Sequence, residues 1–592
     1  MFETARKVWQ LLSGPQRRHL LLLTPAVVAA GVVQTASIGG VLLFLSLLSD
    51  PGSAVESPVL SWLSDFLGTE TERGFLAATG GITLGLILLG NAFAGTVSWA
   101  LLRFAWMTNH TLSHGLLGAY VGRPFSFFLE RNSSELTKSV LSEVQEVANR
   151  VVVGGIQMLS RITIAFFTVG LLLFIDPIVA VLAAAMVGGL YGGVYWVTRR
   201  FILRLGRRAV AANKRRFQLA TEIFGSVKEL KILGLEHEAL RRFEEPSYEY
   251  SANLTKQAVL SQVPRFGLET VAFASILLMV LYLLGTGRNF VDALPLLGAY
   301  GFAAIRLLPA MQAVFLAVAG MRFATAALDN ISRGMSEAAP PPPAVEGPPI
   351  DVTDCIELRT VSLTYPGADE PALSDVSFEI QAGEWVAFVG PSGSGKSTLA
   401  DVILGVQSPS VGAFLVDGQA IDQVNARRWQ RSIGYVPQDI YLFDDTLLSN
   451  IALGVADSDI DKDAVYRAAH IAQIHEFILG LPEGYETRVG ERGVRLSGGQ
   501  RQRIGIARAL YRHPSVLILD EATSALDTVT EARFFAALAE AHTNQTIISI
   551  AHRMSTTKDC DRVFVFRAGC LEASGTHESL RASSALFAEL SG

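Results

Sequence analysis

Gly390-Pro391-Ser392-Gly393-Ser394-Gly395-Lys396-Ser397-Thr398 follows directly on the apolar, β-branched run Trp385-Val386-Ala387-Phe388-Val389. A buried strand that delivers the chain into a glycine-rich turn is a phosphate cradle. The glycines let the backbone curl so that successive N–H groups point at phosphate oxygens. Lys396 reaches toward the β- and γ-phosphates, and the Ser397 hydroxyl is a ligand for Mg²⁺. The candidate nucleotide contacts here are Gly390, Ser392, Gly393, Ser394, Gly395, Lys396, Ser397 and Thr398. This one stretch predicts an α/β nucleotide-binding domain, since ligands of open α/β sheets sit beyond the carboxyl ends of strands.

Further motifs stand on either side in a fixed order. A second apolar strand, Val516-Leu517-Ile518-Leu519, ends at Asp520-Glu521, and a third, Thr546-Ile547-Ile548-Ser549-Ile550, runs into Ala551-His552-Arg553. Between them and the cradle lie Tyr435-Val436-Pro437-Gln438-Asp439 and Leu496-Ser497-Gly498-Gly499-Gln500. A cradle and a Leu-Ser-Gly-Gly-Gln in one domain resemble the ATP-binding cassette family. The resemblance implies ATP and Mg²⁺ as cofactors and a role for each matching residue. Tyr365 stacks on adenine. Asp520, Gln438 and Ser397 hold the Mg²⁺ shell, and Glu521 is the general base for the attacking water. His552 contacts the γ-phosphate, and Asp527, in Ser524-Ala525-Leu526-Asp527, belongs to the loop that links two sites. Ser497, Gly498, Gly499 and Gln500 close over ATP held by another cassette, which implies a second copy of the chain and a homodimer with two ATP sites.

The N-terminal half has a different character. Half of all residues are hydrophobic and only 18% are charged, below the usual quarter for soluble domains. Apolar residues concentrate before residue 330 in six windows, roughly 20–48, 75–102, 152–175, 177–198, 262–287 and 293–322. Each is long enough to cross a bilayer, which takes about 20 residues of helix. The segment 199–258 is crowded with basic residues from Arg199 and Arg200 to Arg241 and Arg242, whereas 49–74 carries five acidic residues against Arg73. The positive-inside rule then puts the long loops and both termini in the cytosol. A net charge of -6 gives no sign of nucleic-acid binding. Cys355, Cys560 and Cys570 make no metal-ligand spacing and read as reduced thiols.

These features predict an α-helical six-span transmembrane domain plus a C-terminal α/β P-loop ATPase domain. The expected limits are an interfacial amphipathic helix at 1–19, the transmembrane domain at 20–332, a Pro-rich linker at 333–352 and the nucleotide-binding domain at 353–592. Six spans with two long inward loops resemble the exporter type of this family. That likeness implies coupling helices at the turns near Pro124–Glu130 and Glu222–Glu229.

Cargo residues are sought among ionisable groups inside the spans, which are costly there. Arg306 lies on the order of 20 Å from the external end of the last span. Arg161 comes to a similar depth, and Arg265 sits near the inner boundary, one helical turn from Glu269, with which it can pair. Several arginines in one inward cavity suit an anionic group such as a diphosphate. The run from Ser57-Pro58 to Gly68 predicts a short amphipathic helix at the external surface. With Lys228–Gly234, Pro264-Arg265-Phe266 and Arg306–Pro309, the membrane half resembles the PglK-type flippases of bacterial protein N-glycosylation. The resemblance implies a polyprenyl-diphosphate-linked oligosaccharide as cargo, with the arginines on the diphosphate. A multidrug or lipid exporter is the alternative, and an ATP-driven regulator that moves nothing is a third class.

Overall fold

The computed structural model describes residues 2–49, 71–175, 177–285, 290–337, 347–522, 527–541, 545–551 and 554–591. The chain divides into two compact units, Met1–Arg123 with Arg131–Pro341, and Pro124–Glu130 with Pro342–Gly592.

The first unit is helical. Helix α1 (Phe2–Leu11) is short, and α2 (Gly14–Ser49) begins after a break. The interfacial helix expected over 1–19 therefore stops at Leu11, and Arg17 and Arg18 belong to the first turn of α2. The cause is Ser13-Gly14-Pro15. The Ser13 N–H donates to Gln16 Oε1 at 2.9 Å, and a proline costs nothing in a first turn, where its missing N–H has no partner anyway. Helix α3 (Glu72–Val121) follows, with Thr71 as N-cap, and then the five-residue α4 (Phe125–Leu129).

The next run alternates helix types. It passes through α5 (Ser133–Lys138), a π-helical turn Ser139–Glu143, α6 (Val144–Val147), a second π-helical stretch Ala148–Val153, and α7 (Gly154–Ile175). The first π turn explains a pair that sequence spacing hides. Lys138 and Glu143 are five residues apart, about 140° off one face in a regular α-helix. In the wider π turn they meet at 2.7 Å with both side chains 2% exposed, and Asn330 Nδ2 donates to the same carboxylate.

Helix α8 (Pro177–Gly225) leads to α9 (Val227–Leu233), α10 (Glu236–Gly285), α11 (Phe290–Phe323) and α12 (Thr325–Ser336). At 1.5 Å per residue α3, α8 and α10 are each about 75 Å long, far beyond the roughly 30 Å of a hydrocarbon core. Among the described residues, Gly14–Val41, Arg73–Val121 and Ser133–Leu173 are long and apolar enough to cross a membrane, and the pair Leu307–Phe323 and Thr325–Ser336, bent by 52°, is a further candidate. The expected windows 177–198, 262–287 and 293–322 fall on α8, α10 and α11 but run over side chains outside the described set. Helices α8 and α11 close onto each other at Gly206, where an added Cβ would lie 2.0 Å from the Phe323 carbonyl oxygen.

The second unit is built on two sheets. Strands β1 (Cys355–Leu363), β2 (Leu373–Gln381), β4 (Val411–Val416) and β5 (Gln419–Ala420) form an antiparallel sheet in the order β2-β1-β4-β5. The other sheet uses β3 (Trp385–Val389), β6 (Ile433–Val436), β7 (Val516–Asp520), β8 (Thr546–Ile550), β9 (Arg562–Arg567) and β10 (Cys570–Gly575). Its order is β10-β9-β3-β8-β7-β6, with parallel pairing from β9 through β6 and an antiparallel edge at β10. Strands β3, β7, β8 and β9 are nearly continuous apolar runs, as a sheet covered on both faces requires. The crossovers bring the ends of β3, β8, β7 and β6 side by side, so motifs far apart in the chain share one edge of the sheet.

Candidate functional site

The cradle is held in a shape that only glycine permits at its first and last turns. Gly390 and Gly395 have φ of 156° and 97°. A Cβ on Gly390 would lie 2.2 Å from the Phe566 carbonyl oxygen, and one on Gly395 2.8 Å from that of Ala372. Helix α13 (Lys396–Ile403) starts at this turn, so its N-terminal N–H groups open toward the cradle. Lys396 is 5% exposed, and its ammonium donates to the Gly390 and Pro391 carbonyls at 2.8 and 2.9 Å and to Ser394 Oγ at 3.3 Å. Burial lowers its pKa, opposed by the charges of Glu521 and Asp520, which places both carboxylates within electrostatic reach. A buried, multiply hydrogen-bonded ammonium beside glycine N–H groups is a receptor for polyphosphate.

Tyr365, half-buried against the sheet core, lies at the same helix, where its hydroxyl donates to Thr398 Oγ1 at 3.2 Å. Asp520 ends β7 and receives the Tyr435 hydroxyl at 3.4 Å. Burial, aided by the neighbouring charges of Asp520 and Asp401, pushes the Tyr435 phenol well above its ordinary range. Gln438, beyond β6, donates from Nε2 to Glu521 Oε2 at 3.0 Å. Glu521 itself has a left-handed backbone with φ of 50°. The oxygen donors Ser397, Asp520 and Gln438 make a hard, all-oxygen set that fits Mg²⁺ and not a soft metal.

Ser497 is the N-cap of α14 (Gly498–Leu510). Its backbone N–H donates to Gln500 Oε1 at 2.8 Å, and the Gln500 N–H returns to Ser497 Oγ at 3.3 Å. This capping box commits two of the candidate side chains to starting the helix, with Gly498 and Gly499 as its first residues. Asp527 caps the next helix, α15 (Thr528–Ala541), accepting from the Thr530 N–H and hydroxyl at 3.1 and 2.6 Å. Those bonds hold its carboxyl below the usual range. His552 and Ser524–Leu526 lie outside the described residues.

In the helical unit Arg161 lines a cavity of about 170 Å³ together with Ser98, Gln157 and Ser160, polar groups among apolar neighbours from α3, α7 and α11. Arg265 is instead engaged on its own helix, at 2.7 Å from Glu269, with both side chains about half exposed. Arg306 falls on α11, and its side chain lies outside the described residues, as does the expected external helix between Ser57 and Gly68. Sequence reading missed the buried Lys138–Glu143 pair and the contact of Gln502 Nε2 with the Glu521 carbonyl at 3.1 Å. For the first, no spacing rule for α-helices gives a signal. For the second, the only signal is a glutamine one helical turn inside α14.

Comparison with known proteins bears on both units. The family model described as ABC transporter matches residues 373–524, and that described as ABC transporter transmembrane region matches 40–289. An ATP-dependent lipid A-core flippase of Cupriavidus metallidurans is 30% identical over 603 residues, covering 99% of this chain and 96% of that protein. The protein of the same name from Chromobacterium violaceum is 32% identical over 503 residues, 82% of this chain and 83% of its own length. A bacterial Atm1-family ABC exporter with ATP bound superposes with a TM-score of 0.77 at 24% identity, covering 97% of each chain, which is a likeness of fold.

Proposed function

The chain belongs to the ABC transporter family, as a multi-pass membrane protein whose ATPase domain couples hydrolysis to transport, and from that premise we propose that it is an ATP-driven flippase for a lipid bearing a phosphorylated saccharide. The finer reading of the cargo is a polyprenyl-diphosphate-linked oligosaccharide, moved from the cytosolic to the external leaflet of a bacterial inner membrane by a homodimer with both termini in the cytosol. The observation that carries the cargo reading is Arg161, set with Gln157, Ser160 and Ser98 around a cavity among apolar helices. A guanidinium with neighbouring amide and hydroxyl donors recognises phosphate oxygens while apolar walls take the lipid. Arg306 on α11 would add a second positive charge at similar depth. Arg265 has its charge met by Glu269 and contributes less.

On the ATPase side each residue has a defined task. Lys396 and the cradle N–H groups bind and orient the phosphates, and Tyr365 holds the adenine end. Ser397, Asp520 and Gln438 would hold Mg²⁺, which when bound neutralises phosphate charge. Glu521 accepts the proton of the attacking water, with Gln438 fixing its carboxylate, and His552 contacts the γ-phosphate. Ser497 to Gln500 of a second copy, with Asp527 between the sites, close the pocket. The turns at α4 and α9 serve as coupling helices. Support comes from Pro124–Glu130 belonging to the same compact unit as the cassette, and from the exposed apolar side chains Phe224, Ile232 and Leu233 around α9.

A second reading is favoured by the relatives' names, namely that the cargo is a lipid A-core glycolipid. Proteoliposomes loaded with either glycolipid separate the two. ATP-dependent flipping of the polyprenyl-diphosphate substrate, lost in Arg161→Ala with ATPase retained, supports the first. Flipping of lipid A-core alone transfers the function to the second, and movement of neither, beside a working ATPase, sinks the glycolipid reading.

A further inference from the structure

Glu521 is an acidic residue in a left-handed conformation, which a side chain with a Cβ adopts only where its surroundings impose it. Three contacts impose it here. Its N–H donates to the Ile550 carbonyl at the end of β8, at 3.2 Å. Its carboxylate accepts from Gln438 at 3.0 Å. Its carbonyl accepts from Gln502 Nε2 at 3.1 Å. Gln502 is 3% exposed and sits on α14, one helical turn beyond Gly498, on the helix that Ser497 and Gln500 start. Gln438, Gly498 and Gln502 line one groove. Over a single turn a helix moves as a rigid body, so a displacement of its first residues is carried to Gln502.

We propose that Gln502 is a positioning residue that ties the backbone of the base, Glu521, to the N-terminus of α14. Whatever binds at Ser497–Gln500 thereby sets the posture of the base in the same cassette. In a homodimer the group bound there is the γ-phosphate held by the second copy's cradle. Each site then reports its occupancy to the base of the other, and the two ATP sites fire cooperatively. The inference rests on the reading of Glu521 as the base and of the chain as a homodimer.

The test uses the full-length protein in lipid nanodiscs, with ATPase rates measured against ATP concentration for wild type, Gln502→Leu, Gln502→Glu and Glu521→Gln. Gln502→Leu is expected to lower kcat about tenfold, leave the KM for ATP within twofold and bring the Hill coefficient toward 1. Gln502→Glu, which loses the donor when ionised, is expected to regain rate relative to wild type as pH falls from 8 to 6, because a protonated carboxyl donates to the same carbonyl. Wild-type kcat and Hill coefficient in both Gln502 variants, with Glu521→Gln inactive, overturn this proposal alone. So does a joint loss of kcat, ATP affinity and thermal stability without recovery at low pH. Persistent hydrolysis in Glu521→Gln overturns the reading of the base, and the proposal with it.

Discussion

The cassette and the helical unit treat their side chains in opposite ways. In the cassette the apolar residues of β3, β7, β8 and β9 are almost wholly buried, and Lys396, Gln438, Glu521, Ser497 and Gln500 are fixed by named hydrogen bonds. In the helical unit large apolar side chains stay outside: Leu22, Leu89 and Phe166 are each more than 70% exposed. A soluble domain with such a surface would aggregate, whereas a bilayer covers it without cost. The cassette therefore carries its solvent boundary within its own packing. The helical unit leaves its boundary to lipid, and keeps tight contact for points such as Gly206 against Phe323 and the Lys138–Glu143 pair.

The sharpest way to test the cassette side is Glu521→Gln. If Glu521 is the proton acceptor, as proposed, its removal with the shape kept is expected to cut ATP hydrolysis by about 10²–10⁴-fold with ATP binding intact, read by phosphate release and nucleotide binding on the same sample. Retained hydrolysis would break the assignment of that edge of the sheet.

Gly206→Val asks whether the helical unit has any point as unforgiving as the cradle. The Cβ meets the Phe323 backbone, which cannot rotate away, so a loss of about 2–4 kcal/mol is expected. The readout is the melting temperature in detergent. An unchanged value would mean that α8 and α11 do not approach as described.

Arg161→Ala and Arg265→Ala compare two arginines that the sequence offers as cargo contacts, one of which has a carboxylate a helical turn away. The first is expected to slow flipping about tenfold, as loss of a charge-assisted contact does, while basal ATPase persists. The second is expected to change flipping less than twofold, because Glu269 already meets its charge. Equal effects would erase the distinction that the structure draws between them.

The smallest effect is a pH dependence within the cassette. His475 stacks on His470 with ring centroids 3.8 Å apart and shares a 2.8 Å hydrogen bond with the Tyr485 hydroxyl. Burial, then the neighbouring His470, lowers its pKa, opposed by Glu476. A base with a depressed folded pKa binds fewer protons in the native state. Its stabilising share is present above the unfolded value near 6.5 and is lost as pH falls through the lower folded value. Melting temperature should drop on going from pH 7 to pH 5, and less steeply in His475→Gln. Identical slopes would remove His475 as the cause.

The two units also differ in how legible they are. Strands β3, β7 and β8 can be read from apolar runs that end at Gly390, Asp520 and Ala551, because a buried parallel strand leaves that signature. The break at Ser13–Pro15 is written in the residues as well, yet the basic pattern around it suggests one continuous helix. Glu521's left-handed backbone was not legible, since its cause is three partners from three separate elements. The same holds for Lys138 and Glu143, whose meeting needs a π turn that no periodicity announces.

By itself the sequence determined the chemistry. Glycines, a lysine and carboxylates at motif spacing specify a polyphosphate site, and apolar windows of span length specify a membrane, because both depend on local residue type and period. Only the tertiary structure decided which of these residues act together. It brought the ends of β3, β7 and β6 to one edge, tied the Glu521 backbone to the helix that Ser497 starts, and set Arg161 at a cavity shared by three helices. Those outcomes rest on crossovers and packing between segments remote in the chain, where distances of a few ångströms determine whether two charges meet.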